Sequence, residues 1–164
     1  MSEQEKPPEQ DPPVLEETQK PAVDPESVDV MLQTFSYMAN QFGIGFGVTL
    51  NVGGLLISGT IISRQEYLTY LASSIRQGIK DSEWNEEARA FLEETFLEPL
   101  EMPVNKDKPF VLRDISYVHL KNARVFHQSG RPIPSGDDGF LWRGRINAID
   151  GFSLGQLSYS VGNS

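Results

Sequence analysis

Cysteine is absent from the 164 residues. That excludes disulfide staples, a thiolate metal site and a cysteine nucleophile, and it fits a reducing compartment. Histidine is scarce: the chain has two, His119 and His127. Hydrophobic residues make up 38%, short of the about 45–50% (glycine included) usual for globular chains. No uninterrupted apolar run approaches the roughly 18–20 residues of a membrane span. The longest candidate, Phe42 to Ile62, is broken by glycines, Asn51, Ser58 and two threonines. No repeat of 20–50 residues is present. Basic residues are in deficit, 14 against 23 acids, which leaves a net charge of −9. Such a chain is a poor default partner for nucleic acid or anionic lipid, because the long-range term is repulsive.

The charge is uneven. Residues 1–27 hold eight acids, two bases and six of the eleven prolines. That segment carries −6 and too little apolar area to offset the entropy of ordering it. The reading is a disordered acidic, proline-rich tail over 1–25, with no basic start or apolar run of a signal peptide. A single folded domain is expected over 26–160, long enough for a real core.

Asp24-Pro25-Glu26 has the signature of a helix start. Val28, Met31, Leu32, Phe35, Met38 and Phe42 recur at helical spacing up to Gly43, predicting a helix over about 26–41 with one apolar stripe. Ile44, Phe46, Val48 and Leu50 then alternate with Gly43, Gly45, Gly47 and Thr49. This is a strand with one nearly bare face, open to close approach by another backbone. Asn51-Val52-Gly53-Gly54 turns the chain into a second strand, Leu55 to Ile62. Ser63-Arg64-Gln65-Glu66 reads as a capping box for a helix through Tyr67, Tyr70, Leu71 and Ile75. Another helix is expected over 84–98. Trp84, Ala88, Phe91, Leu92 and Phe96 share one side, Glu86, Glu87, Glu93 and Glu94 form a solvated face, and Pro99 and Pro103 end it. A strand follows at 115–120, continuing past a bulge through Ala123 to His127. The last two strands are expected over 140–149 and 152–159, joined by a hairpin at Asp150-Gly151.

The fold class is therefore α+β: a small antiparallel five-stranded sheet or an Sm/SH3-like barrel, with an N-terminal helix and a two-helix insertion between strands 2 and 3. Val48-Thr49-Leu50, Gly59-Thr60 and Trp142-Arg143-Gly144 resemble Sm strands. They make an Sm-like RNA-binding protein the alternative function, which the acid balance opposes.

No catalytic set emerges. His119 and His127 read as structural or surface histidines, without a third metal ligand. A hydrolase built on His119 lacks a named partner. No serine is expected to act as a nucleophile. Gly43-Ile44-Gly45-Phe46-Gly47 lacks the third glycine of a nucleotide loop, where Val48 stands. No cofactor is expected. The remaining constellation is basic. Residues 110–164 carry six bases and four acids. Arg143 and Arg145 fall on one strand face beside Trp142, with Lys121 and Arg124 near. Two exposed arginines on an edge strand also discourage edge pairing. The functional reading is a contact patch for an acidic partner, such as the −6 leader of this chain or a neighbour.

Three blocks carry a resemblance. They are Leu50-Asn51-Val52-Gly53-Gly54 with Ile57 to Ser63 and Glu66-Tyr67, then His119 to Arg124, then Leu141 to Ile146 with Asp150-Gly151-Phe152 and Leu154-Gly155. Over about residues 35–158 the sequence resembles the gas vesicle accessory protein U family. The resemblance implies a non-enzymatic cytoplasmic protein associated with gas vesicles, active in assembly or clustering through self-association. Its partners would be the vesicle shell or other accessory proteins, and further copies of itself in a homo-oligomer. Neither nucleic acid nor membrane insertion is implied. Lys121, Arg124, Trp142, Arg143 and Arg145 are the expected partner contacts.

Overall fold

The computed structural model describes residues 28–103, 111–127, 131–136 and 138–158. The expected acidic tail over 1–25 lies outside them. Helix α1 spans Val30–Phe42. It starts later than the Asp24-Pro25 signature implied. Asp29 is the cap, its carboxylate accepting from the Leu32 N–H at 3.0 Å. Gly43 stops it as expected, at φ 67° with its N–H on the Ala39 carbonyl. The buried face is also rotated from the expected stripe. Leu32, Gln33, Ser36 and Ala39 go inward, while Met31 and Phe42 stay exposed. Of the buried polar members, Gln33 donates to the Ile115 carbonyl at 3.0 Å, fixing α1 to the chain just before the third strand, while the Ser36 hydroxyl has no hydrogen-bond partner among the described residues.

The strands β1 (Phe46–Val52) and β2 (Leu55–Ile61) form the expected hairpin. Gly53 and Gly54 both have positive φ, which a two-residue type I′ turn demands. The Asn51 side chain accepts from the Gly54 N–H. Helix α2 (Arg64–Lys80) follows, with the Ser63 hydroxyl accepting from the Glu66 N–H at 3.0 Å. Only that half of the capping box forms, because the Glu66 carboxylate turns to Lys121.

Helix α3 (Glu86–Leu92) runs through a π-turn at Glu93–Leu97 into α4 (Glu98–Glu101). Pro99 therefore sits inside the helical run rather than ending it. A proline lacks the N–H of a regular turn, and the preceding π-turn already departs from i to i−4 bonding. This run packs on α2. Arg76 chelates Glu93 and reaches Glu101 at 2.7 Å, and Gln65 donates to the Glu101 carbonyl. Glu93 is thus an interhelix partner, not part of a solvated face. Leu97 is the fully buried residue of the run.

Next come β3 (Tyr117–Phe126), β4 (Phe140–Arg145) and β5 (Gly151–Leu154). The expected bulge in β3 falls at Asn122, which has φ 51°, with the register shifting between Leu120 and Ala123. All pairings are antiparallel, in the order β4-β3-β2-β1-β5. The sheet is open, with β4 and β5 at its two edges. The expected β4–β5 hairpin does not form. A single turn of 3-10 helix, Ile146–Ala148, carries the chain across instead. Asp150 bonds to β1, its N–H on the Asn51 carbonyl and its carboxylate accepting from Gly53 at 2.7 Å.

One face of the sheet holds the core: Val48, Leu50, Ile57, Ile61, Val118, Leu120 and Ala123, with Leu32 and Ala39 of α1 and Ile146. Phe35 packs on Phe46 and Phe152 at 4.9 and 5.9 Å between ring centres. The other face is polar. Over β1 and β2, its bare glycine side receives the chain after β5. Gly155 N–H meets the Gly47 carbonyl, Thr49 donates to the Gly155 carbonyl, and Leu157 N–H reaches the Ser58 hydroxyl. Over β3 and β4, the polar face meets the start of α2. Among the described residues, no helix is long and apolar enough to cross a membrane.

Candidate functional site

The β3–β4 register places the predicted residues. Tyr117 lies opposite Arg145, His119 opposite Arg143 and Leu120 opposite Trp142. Directly paired residues share a face, and neighbours along a strand alternate. Arg143 and Arg145 therefore stand together on the polar face with Tyr117 and His119. Trp142 points to the opposite face, where it packs against the core. Its indole lies over Gly144, and a Cβ at that position would come within 2.1 Å of the ring.

Arg143 rests on the Tyr117 ring, with its guanidinium carbon 3.8 Å from the centroid. That is a cation–π contact. A hydrogen bond from Arg145, together with the charges of Arg145 and Arg143, holds the Tyr117 phenol below its ordinary pKa. Lys121 is on the same face, but its ammonium pairs with Glu66 at 2.7 Å. That hydrogen bond raises its pKa. Arg124, beyond the bulge, donates to the Gly136 carbonyl at 3.0 Å. The structure thus brings Arg143 and Arg145 together, ties Lys121 to α2 and Arg124 to the 131–136 segment, and separates Trp142 onto the other face.

His119 is 5% exposed. Its imidazole stacks on Tyr67 at 4.8 Å between ring centres. Burial, then the charges of Arg143 and Arg64, push its pKa down to about 4. It is a neutral imidazole at ordinary pH. Beside it Arg64 opens α2, where its backbone N–H meets the Asn40 side chain at 2.8 Å. The sequence reading missed Arg64. Only its place after a capping serine marked it, and nothing local tied it to His119, 55 residues away.

Two further features go beyond the sequence reading: the aromatic stripe it named is exposed, and one serine motif was passed over. The apolar side of the 86–101 run faces outward: Trp84 is 51% exposed, Phe91 67% and Phe96 47%. These side chains have helical spacing but no covering element among the described residues. Separately, Gly151-Phe152-Ser153-Leu154-Gly155 has the spacing of a nucleophile elbow. The elbow requires a strand-to-helix turn. Ser153 instead sits within edge strand β5 opposite Thr49, and no helix follows among the described residues. Among those residues no three His, Asp or Glu side chains gather to hold a metal ion.

Fold and site define a small α+β domain, with a basic strand pair on one sheet edge and an exposed aromatic helical arm. The chain belongs to the gas vesicle protein GvpU-like family, whose model matches residues 29–157. It is therefore a gas vesicle-related protein, and gas vesicle proteins are the partners the family points to. No curated protein and no solved structure matches the chain.

Proposed function

We propose that this protein is a non-enzymatic accessory factor that assembles or clusters gas vesicles, through self-association and contact with shell or other accessory proteins. The family match over residues 29–157 carries the reading. Two surfaces support it. Arg143 and Arg145 offer adjacent cations on an edge strand, flanked by Lys121 and Arg124. Trp84, Phe91 and Phe96 offer a set of exposed aromatics, the residue type that dominates binding energy at interfaces. Trp142 serves the contact by holding β4 flat against the core. A protein with two such surfaces can hold two vesicles at once, and linked weak contacts gain strength from effective concentration.

The test is co-sedimentation with purified gas vesicles, together with light scattering of the mixture. Arg143→Glu with Arg145→Glu is expected to lower the bound fraction, and added salt to lower it further. Phe91→Ser is expected to reduce vesicle clustering. Wild-type binding and clustering by all these variants would refute the assignment of these surfaces. A wild-type chain that neither sediments with vesicles nor scatters would refute the function itself.

A further inference from the structure

A cavity of about 220 Å³ lies between the start of α2 and the β3–β4 edge. Asn40, Arg64, Asp114, Tyr117, His119 and Arg143 are in its wall. At about 30 Å³ of liquid per water, it has room for about seven waters. It is smaller than the roughly 300–1,000 Å³ of pockets that enclose drug-sized ligands. The wall is rich in donors. Arg64 stands at the first position of a 17-residue helix, where the helix dipole adds positive potential. Arg143 approaches from β4 on the other side. Neither guanidinium has an ion-pair partner among the described residues.

His119 points to a ligand independently. Its imidazole is buried and lines the cavity, yet it has no hydrogen-bond partner among the described residues. Its ring nitrogens are therefore left to bond with whatever occupies the cavity, water or a ligand. The groups around it are Arg64 and Tyr67 of α2, Tyr117 of its own strand, Arg143 of β4, and Asp114. Asp114 supplies a carboxylate, set 3.9 Å from Arg113. Burial depresses the imidazole pKa most, and the charges of Arg143 and then Arg64 add to it.

We propose that this cavity binds a phosphate-type oxyanion, either inorganic phosphate or a small phosphate monoester, gripped by Arg64 and Arg143 with His119 and Tyr117 as further donors. Two guanidinium forks converging from different elements suit an acceptor that offers oxygens in several directions. A tetrahedral phosphate does so. A planar carboxylate has two oxygens and is satisfied by one fork.

The experiment follows the His119 imidazole by NMR in a phosphate-free buffer at constant ionic strength. Separate titrations add inorganic phosphate, glycerol phosphate and acetate. Saturable shifts of His119 with either phosphate are expected, with exposed His127 as the internal reference. The stronger of the two identifies the source, free anion or monoester. Bound phosphate should also raise the His119 titration midpoint, because a new anion favours the imidazolium. Arg64→Gln and Arg143→Gln should each weaken binding by about tenfold, the loss of a charge-assisted bidentate contact. Arg131→Gln, remote from the cavity, should bind as wild type. Absence of saturation with both phosphates, or acetate binding as tightly, would overturn the proposal. So would wild-type affinity in both cavity variants. If a cavity variant does not fold, the wild-type titrations decide alone. The assay contains no vesicles, so its outcome is separate from that of the vesicle experiment.

Discussion

His119 makes stability depend on pH in a calculable way. An unfolded chain binds a proton on this imidazole near pH 6.5. The folded chain does so only near pH 4, because burial and the charges of Arg143 and Arg64 disfavour the imidazolium. The folded-state pKa is thus depressed. The contribution is complete above pH 6.5 and is lost as pH falls from 6.5 towards 4, where the unfolded state holds the extra proton. Each unit is worth about 1.4 kcal/mol. Between pH 7.5 and 5 the fold should therefore lose about 2 kcal/mol from this residue alone. That is a large fraction of a typical 5–15 kcal/mol total. The assay is urea unfolding at half-unit pH steps from 7.5 to 5, in buffers without phosphate. The comparison is His119→Gln, which is neutral throughout. The variant starts lower, since it loses the stack on Tyr67, but its stability should be nearly flat over the same range. Carboxylates act mainly below this window, and His127 is exposed. Parallel curves for wild type and variant would refute the reasoning. An imidazole of His119 that titrates near pH 6.5 in the folded protein would do the same.

Two more outcomes follow from the packing. A Cβ at Gly139 would stand 2.3 Å from the carbonyl carbon of Asn122 and 2.6 Å from its Cα. Backbone cannot yield there without opening the bulge, so Gly139→Ala should cost about 3 kcal/mol, the upper end of overpacking effects. At Gly144 the obstacle is the rim of the Trp142 indole, which can swing aside, so Gly144→Ala should cost less and should blue-shift or red-shift tryptophan emission. Thermal melts and fluorescence check both, and a reversed order would refute the geometry. Replacing Arg76 by Met cuts the ties to Glu93 and Glu101. Amide hydrogen exchange should then rise across 86–101 while β1 to β3 keep their protection. An unchanged arm would mean that Leu97 and its neighbours hold it without the ion pairs.

What the sequence disclosed was what local chemistry decides. The β1–β2 hairpin was legible because Gly53 and Gly54 supply the two positive φ values its turn needs. The start of α2 was legible because Ser63 caps its own helix three residues on. The shared face of Arg143 and Arg145 followed from the strand period of two. Where one residue had two possible partners, the distant one won. Asp150-Gly151 looked like a turn joining β4 to β5, but the Asp150 carboxylate caps the Gly53 turn, 97 residues earlier. β5 consequently pairs with β1, and β4 becomes the opposite edge. Glu66 was read as closing its own capping box and instead holds Lys121, 55 residues on. The aromatic stripe of 86–101 had the period of a core-facing helix. Periodicity identifies an apolar face but cannot say whether a second element exists to cover it. Here α2 meets the Glu93–Leu97–Glu101 side, so Phe91 and Phe96 are left outside.

Net charge misleads for a similar reason. It is a sum over the whole chain, and free charges farther apart than about 8–10 Å are largely screened at physiological salt. Whether an anion can bind is decided within hydrogen-bonding distance. Residues 1–27 carry two thirds of the −9, and the fold gathers Arg64 and Arg143 from opposite ends of the 55–145 region around one buried imidazole. The positive charge that would face an anion is thus local: two exposed guanidiniums beside one buried imidazole. Acidity therefore argues against binding along an extended polyanion, whose many charges would meet the surface average. A single small oxyanion meets instead only the cavity wall, where Arg64 and Arg143 outnumber Asp114.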